Sequence, residues 1–453
     1  MFMKRYIFLL LLALPLLADL KNLSLKNAIK IVKKDNLELK ISRFNQQMKQ
    51  YEAKAAQGYH YGKVDVTVTA MRSNDAGNVF GFKLQSREAT FGDFGFAEFD
   101  MSGQTNPLPV APNALNYPDA RNHYQTKISY MLPIYTGGKL TEYGRITKAL
   151  YRMSQYDTAQ LLNTKIFQTK KAYYDISLVD NYIRNLSKMI RNITRLESIV
   201  HSMKQEGYAQ DIDLLEVQAR KAEAKSMYNQ AKLNRDLAYQ FLSFLLNKEV
   251  TSIKKVNEMA SMPHVTKAKL EANNIDIQKA KLGLEITEMA VNVEKANFQP
   301  TVGGFAEYGS ADNSLWNDFN EKDAYTVGVQ VNWNVFSGGT DRANLEKAKV
   351  NYLKVKDQVA LAKSGIALKV KKLQTEILSI SADVRSYKKQ LRFAKKVYQN
   401  YSARYKEGIV SITDVLIKQS KELEILLKLL TVKNKRNTKI FELKSILNSG
   451  GKI

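Results

Sequence analysis

Asp211 and Asp213, with Glu216 three positions further on, are the side chains whose spacing most suggests chemistry. An Asp-x-Asp pair can hold a divalent cation, but acids in the first turn of a helix also cap its free amides and favour its dipole. Asp414 stands in a matching context later in the chain. Because a lone Asp-x-Asp is weak evidence, the sequence predicts no metal site and leaves helix capping open as the explanation.

Other catalytic chemistry has little support in the sequence. Cys is absent, which excludes disulfides, thiolate metal ligands and a thiol nucleophile. The four histidines lie far apart without ligand-like spacing: His60, His123, His201 and His264. The pairs Gly137-Gly138 and Gly338-Gly339 lack the Lys-Ser/Thr sequel of a phosphate-binding loop. We therefore predict no catalytic residue, no cofactor and no enzymatic activity.

The same residues reveal an internal duplication of the chain. Three pairs of anchors share one offset of 201 positions (338 − 137, 408 − 207 and 414 − 213): Gly137 and Gly338, Gly207 and Gly408, Asp213 and Asp414. A repeated spacing of this kind marks a repeated structural unit. The chain is predicted to contain a first repeat over residues 19–250 and a second over residues 251–453.

Each repeat predicts the same order of elements, dominated by one very long helix. In the first repeat we expect a helix at 23–57, a strand–loop–strand segment at 63–135, a long helix at 139–206 and a helix at 211–247. In the second we expect a helix at 263–298, strands at 301–309 and 324–335, a long helix at 340–407 and a helix at 412–448. Apolar residues recur in steps of three and four along the long helices, which predicts coiled-coil packing. At 1.5 Å per residue each long helix would extend about 100 Å, and pairs of half-length helices would stack end to end beside it.

The predicted strands have one apolar and one polar face, which leaves two interpretations open. Strands of this kind are typical of a membrane-spanning sheet, but also of a soluble antiparallel sheet with one buried face. The first hairpin carries a loop over residues 72–122 that is 37 residues longer than its counterpart (238 − 201), since the Asn36 and Asn274 segments are offset by 238. This insertion lies outside the repeated elements.

The first residues of the chain and its net charge indicate where the protein is located and which partners it has. A basic start followed by an apolar run from Ile7 to Leu17 and the small residue Ala18 predicts a secretory signal peptide at 1–18. The net charge of +25 is spread over all helices rather than gathered in one stripe, so we expect no nucleic-acid partner. A solvated surface and attraction for anionic surfaces or cargo both remain compatible with this charge.

In their order along the chain, three segments resemble the TolC family of outer-membrane efflux channels: Pro133–Gly138, Asn334–Gly339 and Tyr405–Leu416. The resemblance covers nearly all of the chain after the signal peptide. It implies an α+β membrane protein with a long coiled-coil α-helical barrel and an antiparallel β-barrel shared by a homotrimer, four strands per chain. It also implies an outer-membrane location in contact with lipid, a long periplasmic extension, a periplasmic adaptor (membrane fusion) protein and an inner-membrane pump of the RND, ABC or MFS type.

The resemblance also assigns roles to the repeated residues. Asp414 matches a family position whose carboxylates ring the periplasmic constriction, and Ile417 stands where some members carry a second acid. The periplasmic gate would contain Asp414, Asp213, Asp211 and Glu216. The adaptor-docking tips would contain Gly207, Tyr208, Gly408, Ile409, Val410 and Ser411. The strand-to-helix turns would contain Gly137, Gly138, Gly338 and Gly339.

These observations predict the outer-membrane exit duct of a tripartite efflux or type I secretion system. Cargo delivered by the pump through the adaptor would leave passively. The alternative is a periplasmic or secreted coiled-coil structural or binding protein with a soluble β-sheet. The sequence does not separate drug, metal and protein cargo.

Overall fold

The computed structural model of the 453-residue chain describes residues 20–104, 106, 108–256, 258–315 and 321–448. The predicted signal peptide, residues 1–18, lies outside these described residues. The described chain forms two compact units. The helical unit contains residues 20–47, 152–282 and 357–448, and the sheet unit contains residues 48–151 and 283–356. The division into sequence repeats 19–250 and 251–453 remains a prediction, because both repeats contribute residues to both units.

Most described residues are helical. The α-helices are α1 (Leu25–Asp35), α2 (Leu37–Gly58), α3 (Ala76–Gln85), α4 (Asn113–Asn116), α5 (Lys139–Gln205), α6 (Asp211–Leu246), α7 (Lys267–Asn273), α8 (Ile275–Ala296), α9 (Thr340–Lys406) and α10 (Ile412–Ile446). Helices α5 and α9 each contain 67 residues, with buried apolar side chains repeating in steps of three and four along α9. This repeat is the packing pattern of long antiparallel coiled helices.

Two helices predicted as continuous are broken at an asparagine. The predicted helix 23–57 divides into α1 and α2 at Asn36, and the predicted helix 263–298 divides into α7 and α8 at Asn274. Both asparagines have extended ψ angles, 125° and 122°. The second of these helices also begins later than expected, because Thr266 caps it by accepting a hydrogen bond from the Lys269 amide.

The broken helices are tied to the ends of others within the helical unit. The side chain of Asn36 donates from Nδ2 to the carbonyl of Leu245 at 2.8 Å and accepts from the amide of Leu39 at 3.0 Å. One side chain thus satisfies a free carbonyl at the end of α6 and a free amide at the start of α2. Tyr173 belongs to the same buried apolar cluster as Leu245. It is fully buried, and its hydroxyl donates to the carbonyl of Leu23 at 2.8 Å.

The sheet unit is built on four antiparallel strands in the order β1-β2-β3-β4. The strands are β1 (Lys63–Ser73), β2 (Arg121–Tyr135), β3 (Thr301–Asp312) and β4 (Asp323–Asn332). Strand β3 is longer than the predicted 301–309, whereas β4 ends before the predicted limit of 335. Because Thr301, the first residue of β3, pairs with Asn332, the chain beyond Asn332 has no residue of β3 opposite it.

The described part of the long first hairpin loop contains short helices. It contains α3, two short 3₁₀ turns and α4. The carboxylate of Asp75 caps α3 by accepting from the amide of Asn78 at 2.9 Å. We call residues 74–120, between β1 and β2, the insertion.

Candidate functional site

The two tip turns, residues 206–210 and 407–411, share one backbone geometry. Gly207 and Gly408 both have positive φ, 80° and 71°. In the first turn the amides of Gly207 and Tyr208 donate to carbonyls of the last turn of α5, and the second turn repeats this pattern at the end of α9. This is the standard way of closing a helix with a left-handed glycine. The glycines of the duplicated motif therefore end the long helices.

Two of the acids predicted for the gate cap the helices that follow. Asp213 accepts from the amide of Gln210 at 2.9 Å. Asp414 accepts from the hydroxyl of Ser411 at 2.8 Å, while the Asp414 amide donates back to that hydroxyl at 3.1 Å. Both arrangements are capping boxes, which stabilise the start of a helix. The capping explanation that the sequence left open therefore has a clear geometric basis.

The other two predicted gate acids link neighbouring elements. Asp211 forms a salt bridge with Lys204, across the first tip turn. Glu216 accepts a hydrogen bond at 2.6 Å from the hydroxyl of Thr413, which lies at the start of α10. The structure thus brings the two predicted tips together within the helical unit, with Glu216 joined to the residue next to Asp414.

An apolar cluster beneath the turns holds the two tips together. We call it the tip cluster. It comprises buried Ile193, Leu196, Val200, Val217, Ala224, Tyr405, Ile412, Val415 and Leu416. The hydroxyl of Tyr405 lies 3.4 Å from the sulfur of Met203, so α9 contacts α5 directly. This packing buries the apolar faces of α5, α6, α9 and α10 against each other.

The predicted docking residues have different environments. Tyr208 and Ile409 are exposed, 76% and 56% respectively. Val410 instead packs against the tip cluster, and Ser411 caps α10. Sequence reasoning missed the exposed side chains of Ile212 and Leu215, although their apolar character beside acids at the start of α6 was the available signal.

The sheet presents two chemically different faces. The apolar face carries exposed side chains of the edge strands: Val64, Val66, Val68, Tyr325, Val327, Val329 and Val331. The polar face carries the alternate residues, including Lys63, Asp65, His123, Lys127 and Glu307. On it Lys127 and Glu307 form a salt bridge at 3.1 Å. The valines have no covering layer within the described chain, so the apolar face lies open.

The strand-to-helix turns have the geometry that glycine permits. Gly137 has φ of 64°, and a Cβ atom added there would lie 2.6 Å from the carbonyl oxygen of Ala296. A side chain at this position would collide with the backbone of α8. Gly138, Gly338 and Gly339 also have positive φ angles, which favour glycine.

Two features of the described residues bear on other functions. No group of three or more His, Cys, Asp or Glu among them is arranged to hold a metal ion. In the same part of the chain, no helix combines the length and the apolar character needed to cross a membrane.

Comparison with known proteins adds family evidence to this geometry. Residues 268–449 match the family model described as outer membrane efflux protein. The solvent efflux pump outer membrane protein SrpC of Pseudomonas putida is 26% identical over 261 residues, 53% of this chain and 52% of the relative. The toluene efflux pump outer membrane protein TtgI, also of Pseudomonas putida, matches to the same extent. The chain thus spans about half the length of the curated relatives it matches.

Solved structures match over a larger part of the chain. The Campylobacter jejuni CmeC outer membrane channel has a TM-score of 0.78 and 16% identity, covering 94% of this chain and 86% of that protein. The outer-membrane channel OprN has a TM-score of 0.78 and 15% identity, covering 94% and 90%. The open state of the Neisseria gonorrhoeae MtrE outer membrane channel has a TM-score of 0.75 and 15% identity, covering 94% and 89%.

The chain thus has the α+β fold of these solved outer-membrane channels. The predicted resemblance to the TolC family of outer-membrane efflux proteins is confirmed by the family model, the curated relatives and the structural neighbours. The predicted outer-membrane location is confirmed with it.

Proposed function

We propose that the chain is the outer-membrane exit duct of a tripartite efflux or type I secretion system. In this proposal the duct is passive and catalyses no reaction. A separate inner-membrane pump delivers cargo through a periplasmic adaptor, and the cargo leaves through a tunnel formed by copies of this chain. SrpC and TtgI, named for solvent and toluene efflux, illustrate one cargo class of such ducts.

The observation that carries the proposal is the open apolar face of the sheet. Val64, Val66 and Val68 are 63–66% exposed, as are Val329 and Val331 on the opposite edge strand at 65% and 64%. A contiguous exposed apolar surface of this kind is costly in water and is typical of contact with lipid or with another protein. The polar alternate residues suit a water-filled interior, as in membrane-spanning sheets.

The edges of the sheet support assembly from several copies. Among the described residues, β1 pairs with β2 alone and β4 with β3 alone, so each has one free edge. Free strand edges invite pairing with another chain. We infer a homotrimer in which β1 of one copy pairs with β4 of the next, which closes a ring of strands and removes every free edge.

The long helices offer a second surface for the same assembly. Helix α9 has a buried apolar row facing its own chain and another row that is exposed. The exposed row includes Val350, Leu353, Leu361, Leu368 and Leu378. Contact with a neighbouring copy would bury it, as two apolar stripes on one helix require two partners.

The tips are assigned to the pump-facing end of the duct. Asp414, Asp213, Asp211 and Glu216 would surround the closed entrance once the chain is repeated about an axis. Acids crowded near an axis repel one another and attract cations. The exposed Tyr208 and Ile409 would contact the adaptor, since exposed aromatic and aliphatic side chains at a turn suit a protein interface.

Cysteine labelling in cells tests this proposal, because the chain has no Cys of its own. Neighbouring positions on opposite faces are compared: Val66→Cys with Thr67→Cys, and Val327→Cys with Thr326→Cys. A water-soluble maleimide should label the Thr67→Cys and Thr326→Cys variants in intact membranes. The Val66→Cys and Val327→Cys variants should react only after denaturation.

Equal labelling of both faces would contradict the proposal, as would recovery of the protein in the soluble fraction. Those results would favour a periplasmic or secreted coiled-coil protein with a soluble sheet.

A further inference from the structure

Helix α3 of the insertion packs on the polar face of the sheet. The ring of Phe82, in α3, stacks on the ring of His123 with centroids 4.2 Å apart and an interplanar angle of 8°. His123 shares the polar face with Lys127, which lies four residues further along β2. Phe82 and His123 are buried, at 7% and 1% exposure. Helix α3 therefore lies against the polar face and away from the open valines.

A second residue supports this placement. Ala311 of β3 pairs with Gln125 of β2, so it lies on the same face as His123. It is only 4% exposed, and α3 packs against β3 as well as β2. At the opposite end of the same face Met131 is 67% exposed. The polar face is thus covered at the end where the hairpin loops lie and open at the other.

Charged groups fasten the insertion to the ends of the strands. Glu88, just after α3, forms salt bridges with Arg121 at the start of β2 and with Lys322, the latter at 2.5 Å. Lys322 also bridges Asp312 at the end of β3, at 2.9 Å. Glu88 therefore joins the insertion to the first and the second hairpin. We call these four residues the latch.

We propose that α3 and the latch form an exit constriction, which narrows the outer end of the duct and sets the size of cargo that leaves. This inference rests on the proposed function, since it takes the polar face for the channel interior. Three copies would place three α3 helices around one opening. Helix α3 supplies the bulk that occupies the opening, and Phe82 and Glu88 hold the helix against the sheet.

The size of the opening can be measured from the outer side alone. Purified protein is inserted into planar bilayers, and polyethylene glycols of increasing size are added to the side that faces the hairpin loops. A polymer that enters the wide interior lowers the conductance, whereas an excluded polymer does not. Because pore diameter decides which polymers enter, the largest polymer that still lowers the conductance reports the width of the outer mouth.

Three variants remove the constriction to different degrees. Phe82→Ala and Glu88→Gln should shift the exclusion limit on the outer side to larger polymers. Replacing residues 74–120 with the short connection 313–322 of the second hairpin should shift it furthest. Glu98→Gln is the matched control, because Glu98 lies in the insertion and its carboxylate accepts from the amides of Asn113 and Ala114, which belong to the insertion as well. Its limit should equal that of the parent protein.

The outcomes separate this inference from the proposed function. If the parent protein forms channels and all three variants keep its exclusion limit, the exit constriction is contradicted but the proposed duct function is not. If Glu98→Gln shifts the limit as far as Glu88→Gln, the latch is overturned. If the parent protein forms no channel, both the exit constriction and the proposed duct function are contradicted.

Discussion

The side-chain amide of Asn36 donates to the backbone carbonyl of Leu245 at 2.8 Å, and the side-chain amide of Asn274 donates in the same way to the carbonyl of Ile446 at 2.9 Å. Each asparagine also accepts from the amide three positions further on. The acceptor carbonyls are themselves offset by 201 positions (446 − 245). These paired contacts join the end of α6 to the start of α2, and the end of α10 to the start of α8.

Asn274→Ala should lower the free energy of unfolding by about 1–3 kcal/mol, because it leaves a partly buried carbonyl and a buried helix-start amide without their partner. Asn273→Ala is the matched control, since Asn273 is the exposed neighbour. Denaturant unfolding of the detergent-solubilised protein measures both. An equal effect of the two substitutions would show that the bridging contact adds nothing to stability.

The same asparagines show where sequence reasoning reached its limit. Asn36 and Asn274 were visible as matching segments, and their apolar neighbours kept helical spacing, so continuous helices were expected. The break depends on a carbonyl that lies 209 positions away in sequence for Asn36, and local pattern contains no information about it. By contrast, the two long helices could be predicted from the sequence. Apolar residues spaced three and four positions apart form one packing surface along a helix.

At the tips, too, some features could be predicted from the sequence and others could not. The glycine turns and the acids could be located from the offset alone. The pairing of Glu216 with Thr413 could not, because it depends on how two distant helix starts meet. The insertion was located by counting, but its position on the polar face depends on Phe82 and His123, which no periodicity connects.

Removing charge from the tips tests their role in the gate. Asp213→Ala with Asp414→Ala should raise single-channel conductance, and Asp213→Asn with Asp414→Asn should do the same. Asparagine keeps an oxygen that can accept the capping hydrogen bonds, so it removes the charge with little loss of helix stability.

Ser411→Ala is the control for this experiment. It removes a cap at a cost of about 1 kcal/mol but keeps the carboxylate of Asp414, so conductance should stay unchanged. Equal conductance gains from Ser411→Ala and the double asparagine variant would mean that fraying of α10, and not charge, opens the tip.

Two glutamates near the tips should respond oppositely to pH. Burial raises the pKa of Glu422 above its ordinary value of 4.5, despite the nearby Lys395 and Lys188. An acid with a raised pKa in the folded state costs stability once the pH exceeds its unfolded value. Glu422→Gln should therefore raise the unfolding midpoint at pH 7 and leave it unchanged at pH 4.

Glu424→Gln should change the unfolding midpoint at pH 7 in the opposite direction. Hydrogen bonds from Lys421 and Lys428 lower the pKa of Glu424 to about 2. Its contribution to stability is therefore present above pH 4.5 and is lost as the pH falls towards 2. Because the group is exposed, solvent screens the effect. A gain in stability at pH 7 from Glu424→Gln as large as that from Glu422→Gln would contradict this assignment.

The exposed tip side chains should decide binding of the adaptor. Tyr208→Ser with Ile409→Ser should reduce the amount of adaptor that co-purifies after crosslinking in cells, while leaving the assembly of the duct intact. Met101→Ala, at an exposed position in the insertion, is the control. Undiminished capture of the adaptor by the double variant would remove both residues from the docking surface.

Conductance of the purified protein in planar lipid bilayers tests the central claim most directly. A passive duct predicts discrete current steps without nucleotide or any other energy source, from a detergent-extracted trimer that dissociates on heating. Absence of current steps from protein that remains a monomer in detergent-free buffer would contradict the account.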